Sequence, residues 1–154
     1  MGYRWYEAND VEPVFAFGHG LSYTSFEYDR LTVEPLPDDG GLEVSFTLTN
    51  TGDVEGAETA QLYLTLPDSA GQPAKRLVGF EKVTLQPGAQ EQVTVRIGVT
   101  DSNRPFSYFT PAEPDDLANW ADGEWSTASG QYRVHVGGSS ADTPLEKGVA
   151  LRFP

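Results

Sequence analysis

The side chains that most often perform chemistry are few in this sequence, and they form no recognisable catalytic pattern. The chain has two histidines, His19 and His135, and no cysteine. His19 stands between two glycines, whereas His135 falls on the outward face of a predicted strand. Two histidines so far apart lack the spacing of a zinc site, and no thiolate can supplement them. We therefore predict no metal site, no cofactor and no catalytic residue in this chain.

Carboxylates are plentiful, with 23 Asp and Glu against 10 Lys and Arg. Hydrolysis of a glycosidic bond needs two of them, one protonated and one ionised, on either side of a bound sugar. The acidic residues here lie mostly in predicted turns and on outward strand faces, which favours a solvated acidic surface instead. The net charge of −13 repels phosphate backbones and anionic lipids, so we expect neither nucleic acid nor a membrane as partner.

Residues 110–124 are predicted to form an acidic loop. Five carboxylates surround Trp120, and Trp125 follows directly after the loop. The Asp and Asn residues do not follow the spacing of an EF-hand, which disfavours calcium binding. A loop of this length within one compact domain is unusual and is typical of functional segments.

The elements that would position these residues are strands, because the dominant period of the sequence is two. Apolar residues alternate with polar ones from Leu42 to Leu48, so that one face of the strand is buried and the other is wet. The same alternation predicts strands at Leu62–Leu66, Val93–Val99, Tyr132–Val136 and Val149–Phe153, with weaker ones at Phe26–Val33, Leu77–Leu85 and Pro105–Phe109. No window has an apolar stripe long enough for a stable helix. About seven short strands separated by turns predict an all-β fold, an antiparallel two-sheet sandwich.

Large aromatic residues are concentrated in two places, the first 23 residues and the region of the loop at 110–124, where Tyr108, Phe109, Trp120 and Trp125 lie in or beside the loop. Three interpretations follow: contact with another protein domain, ordinary core packing, and a platform on which sugar rings stack. We favour the domain contact, because uncovered rings would form an apolar patch that monomers rarely expose without use. The candidate contact residues are Arg4, Trp5, Tyr6, Phe15, Phe17, His19 and Tyr23, and the candidate carbohydrate contacts are Trp120 and Trp125.

Several motifs in the chain resemble one known family. Residues 12–28 read EPVFAFGHGLSYTSFEY, and they are followed in order by VSFTLTNTG at 44–52, ETAQLYLTL at 58–66, KRLVGFEKVTLQPG at 75–88 and GQYRVHVGGSS at 130–140. This series is similar to the C-terminal fibronectin type III-like domain of glycoside hydrolase family 3 β-glucosidases and their relatives. The similarity extends from about residue 3 to residue 153, and GYRWY at 2–6 resembles the stretch just upstream of that domain.

The resemblance implies an immunoglobulin/fibronectin type III-like sandwich at residues 24–154, with an inserted acidic loop at 110–124. Residues 1–23 would be a linker from a preceding α/β domain. In this family the catalytic carboxylates belong to other domains, so the resemblance implies a non-catalytic accessory domain of a β-glucosidase-like enzyme. Its partners would be the catalytic domains of the same polypeptide. The alternative is a module that binds β-glucan and brings the enzyme to insoluble substrate.

The sandwich makes a direct prediction about the inward-facing residues. Replacing Phe46 or Leu64 with alanine should lower the free energy of unfolding by about 3–5 kcal/mol, because each change leaves a cavity in the core. Urea unfolding at 25 °C measures this loss. A loss below about 1 kcal/mol for both variants would show that these residues do not face a core.

Overall fold

The computed structural model describes residues 2–72, 74–112 and 122–153 of the chain, and nearly all of its regular structure is strand. A six-residue helix, α1, spans Tyr3–Ala8. Nine strands follow: β1 Phe26–Pro35, β2 Gly41–Asn50, β3 Gly56–Thr65, β4 Arg76–Leu85, β5 Gln90–Gly98, β6 Ser107–Pro111, β7 Gly123–Thr127, β8 Gly130–Gly137 and β9 Leu145–Leu151. Within the described ranges, no helix is both long and apolar enough to cross a bilayer.

The strands form two antiparallel sheets that pack face to face, as the alternation predicts. One sheet has three strands in the order β1-β2-β5, and the other has four in the order β4-β3-β8-β9. The short strands β6 and β7 form a separate two-stranded hairpin. The two sheets meet along both edges, where β1 lies beside β9 and β4 lies beside β5. The predicted fold class is therefore confirmed.

The core lies between the sheets and consists of the inward half of each alternating run. In β2 the inward residues Val44, Phe46 and Leu48 are almost completely buried, and their polar neighbours are only partly covered. Leu62 and Leu64 of β3 and Val134 of β8 are fully buried in the facing sheet. Burying side chains of this size from both sheets is the main source of stability in such a fold.

Three details of the sequence prediction need correction. Val99 and Phe153 lie just beyond the ends of β5 and β9. The segment 110–124 is not wholly a loop, because β6 includes Thr110 and Pro111 and β7 begins at Gly123. The third correction concerns Tyr63, which the alternation places on the wet face but which is completely buried. The helix α1 does not contradict the prediction, because it is too short to be stable alone and depends on contacts with the sandwich.

A buried polar residue, Asn50, ties the end of β2 to three other parts of the chain. Its amide nitrogen donates hydrogen bonds to the carbonyl oxygens of Val54 at 2.8 Å and Leu85 at 2.9 Å. Its amide oxygen accepts hydrogen bonds from the Thr24 hydroxyl at 2.6 Å and the Gly52 N–H at 3.1 Å. A buried side chain with every polar atom paired fixes this corner of the sandwich, since any alternative would leave buried groups unpaired.

Replacing Asn50 with alanine should therefore lower the free energy of unfolding by about 2–3 kcal/mol, because the buried Leu85 carbonyl loses its partner. Asn103 is a matched control, since it is exposed and donates one hydrogen bond, to the Val78 carbonyl at 3.1 Å. Asn103→Ala should cost less than about 1 kcal/mol. Urea unfolding of both variants measures these losses. Equal losses of free energy would mean that the hydrogen bonds of Asn50 contribute no more than an exposed one.

Candidate docking surface

The N-terminal segment, residues 2–23, lies on the outer face of the four-stranded sheet. The Tyr3 ring stacks on Phe17 with centroids 4.6 Å apart and meets Tyr63 edge-on at 5.9 Å. The Tyr3 hydroxyl oxygen accepts a hydrogen bond from the Leu77 N–H at 2.6 Å. Burial raises the pKa of Tyr3 and that of Tyr63 above their ordinary values, so both phenols stay neutral. Tyr63 is buried because this segment covers it.

Gln61 holds the segment at a second point. Its amide nitrogen donates hydrogen bonds to the Gly18 carbonyl at 3.1 Å and the Gly138 carbonyl at 2.5 Å. Its amide oxygen accepts one from the Tyr63 hydroxyl at 2.5 Å. The Ser140 N–H donates to the Phe17 carbonyl at 2.8 Å. The segment is therefore fixed to the β8–β9 turn as well as to β3.

Two polar contacts complete the attachment near α1. The Arg4 guanidinium donates a hydrogen bond to the Gln72 side-chain oxygen at 3.0 Å. Lys75 forms an ion pair with Glu7 of the helix at 3.0 Å, and both side chains are partly covered. A groove of about 510 Å³ remains between α1 and the chain that follows it, and Tyr6, Val11 and Pro13 are among its lining residues.

The segment leaves several apolar side chains in solvent although its backbone is anchored. Leu21 is 95% exposed and Phe15 is 73% exposed, and Tyr23 has no covered surface at all. Val14 is similarly exposed, so we refer to Val14, Phe15, Leu21 and Tyr23 as the exposed apolar group. Apolar residues on a rigid support are typical of a surface that another protein covers.

The seven predicted contact residues divide into three kinds. Phe15 and Tyr23 belong to the exposed apolar group, and His19 stacks on Phe15 with ring centroids 5.5 Å apart. Trp5 and Tyr6 are about half exposed and meet edge-on at 5.4 Å. Arg4 and Phe17 take part in the attachment of the segment, although the Phe17 ring is also 46% exposed. Their role as interdomain contacts stays a prediction.

The two predicted carbohydrate contacts cannot be compared as a pair, because Trp120 lies outside the described residues. Trp125 belongs to β7 and is about half exposed. Its indole packs at a tilt on Phe109 at 5.4 Å, and the Arg104 guanidinium lies 4.7 Å from the ring centroid. Arg104 therefore covers part of the surface that a sugar ring would need.

The histidine on the four-stranded sheet has a local structural role. His135 shares a hydrogen bond of 3.0 Å with the Thr65 hydroxyl through Nε2, and its Nδ1 lies 3.2 Å from Glu146. Burial lowers the pKa of His135, although Glu146 opposes this effect. In the described ranges, no three His, Asp or Glu side chains are arranged to hold a metal ion.

The carboxylates that have partners are engaged in contacts within the sandwich. Glu58 accepts a hydrogen bond from the Tyr28 hydroxyl at 2.8 Å across the core. Burial and the adjacent Glu58 raise the pKa of Tyr28 far above its ordinary value. Glu43 pairs with Arg96 at 2.8 Å, and Glu146 pairs with Arg133 at 2.9 Å. These are structural contacts, and they provide no acid–base pair around a sugar-sized cleft.

Sequence reasoning missed five exposed large apolar residues, Val11, Val14, Leu21, Val54 and Phe80, of which Val14, Leu21 and Phe80 are the most exposed. Val14 and Leu21 carried a signal that could have been used, since both lie in the aromatic stretch that does not alternate. Phe80 carried none, because it lies in the unbroken run of Leu77, Val78, Gly79 and Phe80, which has no phase to indicate its face.

Comparison with known proteins identifies a matching family. A family model described as a fibronectin type III-like domain matches residues 58–140. A probable β-glucosidase D of Aspergillus niger is 38% identical over 94% of this chain and 20% of that protein. The crystal structure of DesR, a β-glucosidase from Streptomyces venezuelae in complex with D-glucose, matches with a TM-score of 0.81 and 37% identity, covering 99% of this chain and 18% of that one.

A second solved structure, a GH3 β-glucosidase from Bifidobacterium adolescentis, matches with a TM-score of 0.80 and 33% identity. The match covers 98% of this chain and 20% of that chain. The present chain thus spans about a fifth of the length of the relatives that it matches.

The attachment at Gln61 predicts a difference between two neighbouring glycines. Gly18 has φ of +81°, and a Cβ atom there would overlap the Gln61 side chain, whereas a Cβ at Gly20 would meet no atom within 4 Å. Gly18→Ala should therefore loosen the segment and lower the free energy of unfolding by about 1–3 kcal/mol. Gly20→Ala should change it by less than about 0.5 kcal/mol.

Hydrogen exchange gives the local measurement, because the Ser140 N–H is bonded to the Phe17 carbonyl. Its exchange should be faster in Gly18→Ala and unchanged in Gly20→Ala. Equal exchange in the two variants would mean that Gly18 does not hold the segment on the sheet.

Proposed function

Because this chain belongs to the fibronectin type III-like domain family, we propose that it is a non-catalytic accessory domain of a family 3 β-glucosidase-like glycoside hydrolase. It packs on the catalytic domains of the same polypeptide and stabilises them. In this proposal residues 1–23 are the linker from the preceding α/β domain, and residues 24–154 are the sandwich. The observation that carries the proposal is the exposed apolar group on an N-terminal segment that is already fixed to the sheet.

The rigidity of that segment favours docking over a flexible connection. Tyr3, Phe17 and Gln61 hold its backbone in place, so little conformational entropy is lost when the exposed apolar group is covered. A free linker would have to order each side chain on binding, at about 0.5–1.5 kcal/mol for each immobilised side chain. The isolated chain thus presents a surface prepared for a partner.

The relatives are much longer than this chain, and the rest of such a polypeptide is the proposed partner. About four fifths of each matched β-glucosidase lies outside the region similar to this chain. A partner in the same polypeptide is held at an effective concentration in the millimolar range for a short connection, so even a modest interface remains closed. An ordinary interdomain interface buries roughly 600–1,500 Å², which several large apolar side chains and their neighbours can provide.

The chemistry of the chain agrees with a role in support of catalysis. Retaining glycosidases hold two carboxyl groups about 5 Å apart with a bound sugar between them. Glu58, a partly buried carboxylate, accepts a hydrogen bond from Tyr28 on the facing sheet. The proposal assigns hydrolysis to the catalytic domains of the polypeptide and assigns stability to this chain.

The experiment compares the full-length enzyme with the isolated chain. Phe15→Ser combined with Tyr23→Ser should leave the unfolding of the isolated chain within about 0.5 kcal/mol of the original, because both side chains are already in solvent. In the full-length enzyme the same pair should shorten the half-life of activity at a fixed elevated temperature by about 5–30-fold, which corresponds to about 1–2 kcal/mol of lost contacts from the two rings together. Deleting the domain sets the upper limit of the effect.

Gln92→Ser is the control, because Gln92 is exposed on the outer face of the opposite, three-stranded sheet. This substitution should change neither the half-life of the full-length enzyme nor the unfolding of the isolated chain. The proposal would be wrong if the enzyme kept its stability after deletion of the domain. Retention of the isolated chain on insoluble β-glucan, lost in Trp125→Ser, would instead support the targeting module. Hydrolysis of a chromogenic β-glucoside by the chain alone would overturn the non-catalytic assignment.

A further inference from the structure

Phe80 is a large apolar side chain on the outer face of the four-stranded sheet, outside the N-terminal segment. It is 63% exposed and lies in β4, which is an edge strand of that sheet. Its partner across the ladder is Gln61 of β3, and both side chains point away from the core. Exposed apolar residues on edge strands favour unwanted association, so they are usually covered or replaced by charged residues.

Phe80 is connected to the N-terminal segment through its neighbour on β3. Side chains directly opposite each other in an antiparallel pair have Cβ atoms roughly 4.5–5.5 Å apart. Gln61, opposite Phe80, donates a hydrogen bond to the Gly18 carbonyl of the segment. The segment also reaches β4 itself, where the Leu77 N–H donates to the Tyr3 hydroxyl oxygen.

We propose that Phe80 belongs to the same docking surface as the exposed apolar group, and that one apolar face of the catalytic part of the polypeptide covers both. This inference rests on the proposed function. It adds that the partner contacts two regions, the exposed apolar group on the segment and Phe80 on the sheet. Contacts at two separate points fix the orientation of the partner, which a contact with the segment alone would not do.

The catalytic part of the polypeptide is favoured over a second copy of this chain as the occupant. Two copies would bring together bodies that each carry a net charge of −13, and this repulsion opposes self-association. The relatives provide some four fifths of a longer polypeptide as an alternative partner. Because Gln61 pairs with Phe80 and bonds to the segment, a single partner can cover both Phe80 and the exposed apolar group.

The test uses Phe80→Ser in the full-length enzyme and in the isolated chain. The isolated chain should unfold at the same urea concentration as the original, because the ring is mostly in solvent. The full-length enzyme should lose about 5-fold or more of its half-life at a fixed elevated temperature. Trp125→Ser is the matched control, since Trp125 is also an exposed aromatic residue, and its ring contacts are to Phe109 and Arg104. Any loss of stability that Trp125→Ser causes in the full-length enzyme should be no larger than its loss in the isolated chain.

The outcomes separate this inference from the proposed function. If Phe15→Ser with Tyr23→Ser shortens the half-life and Phe80→Ser does not, the inference is wrong and the proposed function stands. If neither variant has an effect beyond that in the isolated chain, both are wrong. If light scattering shows the isolated chain to be a dimer that Phe80→Ser converts to a monomer, the occupant is a second copy and the inference is overturned.

Discussion

The contact between the N-terminal segment and the outer face of the four-stranded sheet determines which residues of this domain are exposed on that side. A sheet in a sandwich usually has one buried face and one wet face. Here Tyr3 and Gly18 cover Tyr63 and Gln61 on the outer face, so this side of the sheet is partly buried as well. The tyrosine hydroxyls and the glutamine amide have hydrogen-bond partners under this cover, which makes their burial tolerable. The position of the exposed apolar group follows from this contact.

The sequence was sufficient to predict the sandwich because its core strands alternate regularly. Phe46 and Val134 are buried where the period of two places them, and this result needs only the geometry of a strand. Tyr63 could not be placed in the same way, since its cover comes from a residue near the start of the chain and is a tertiary effect. Phe80 was missed for a local reason, because it ends an unbroken run from Leu77 in which the alternation has no phase. The pairing of β3 and β4 also shifts opposite this run, between Leu62 and Tyr63. A bulge of this kind changes which residues face outward without leaving a mark in the pattern.

The candidate site was predicted less completely than the fold. Aromatic residues outside the alternation indicated a contact region, and Phe15 and Tyr23 are indeed exposed. The same reasoning could not distinguish rings that attach the segment from rings that face solvent. Tyr3 is of the first kind, and Phe17 stacks on it while remaining 46% exposed. Composition gives the number of rings, whereas only the folded chain shows which of them stack on each other. The family resemblance identified the family of the chain but does not rank its surface residues.

Asn50 connects this arrangement to the rest of the sandwich, because it bonds to Thr24 where the segment meets β1. This hydrogen bond joins the end of the segment to the corner of the sandwich that Asn50 fixes. An engineer who transplants this domain between enzymes should carry residues 2–23 with it. A graft beginning at Thr24 would bring the strands without their covering, and Tyr63 and Gln61 would meet a foreign surface for which they have no complementary shape.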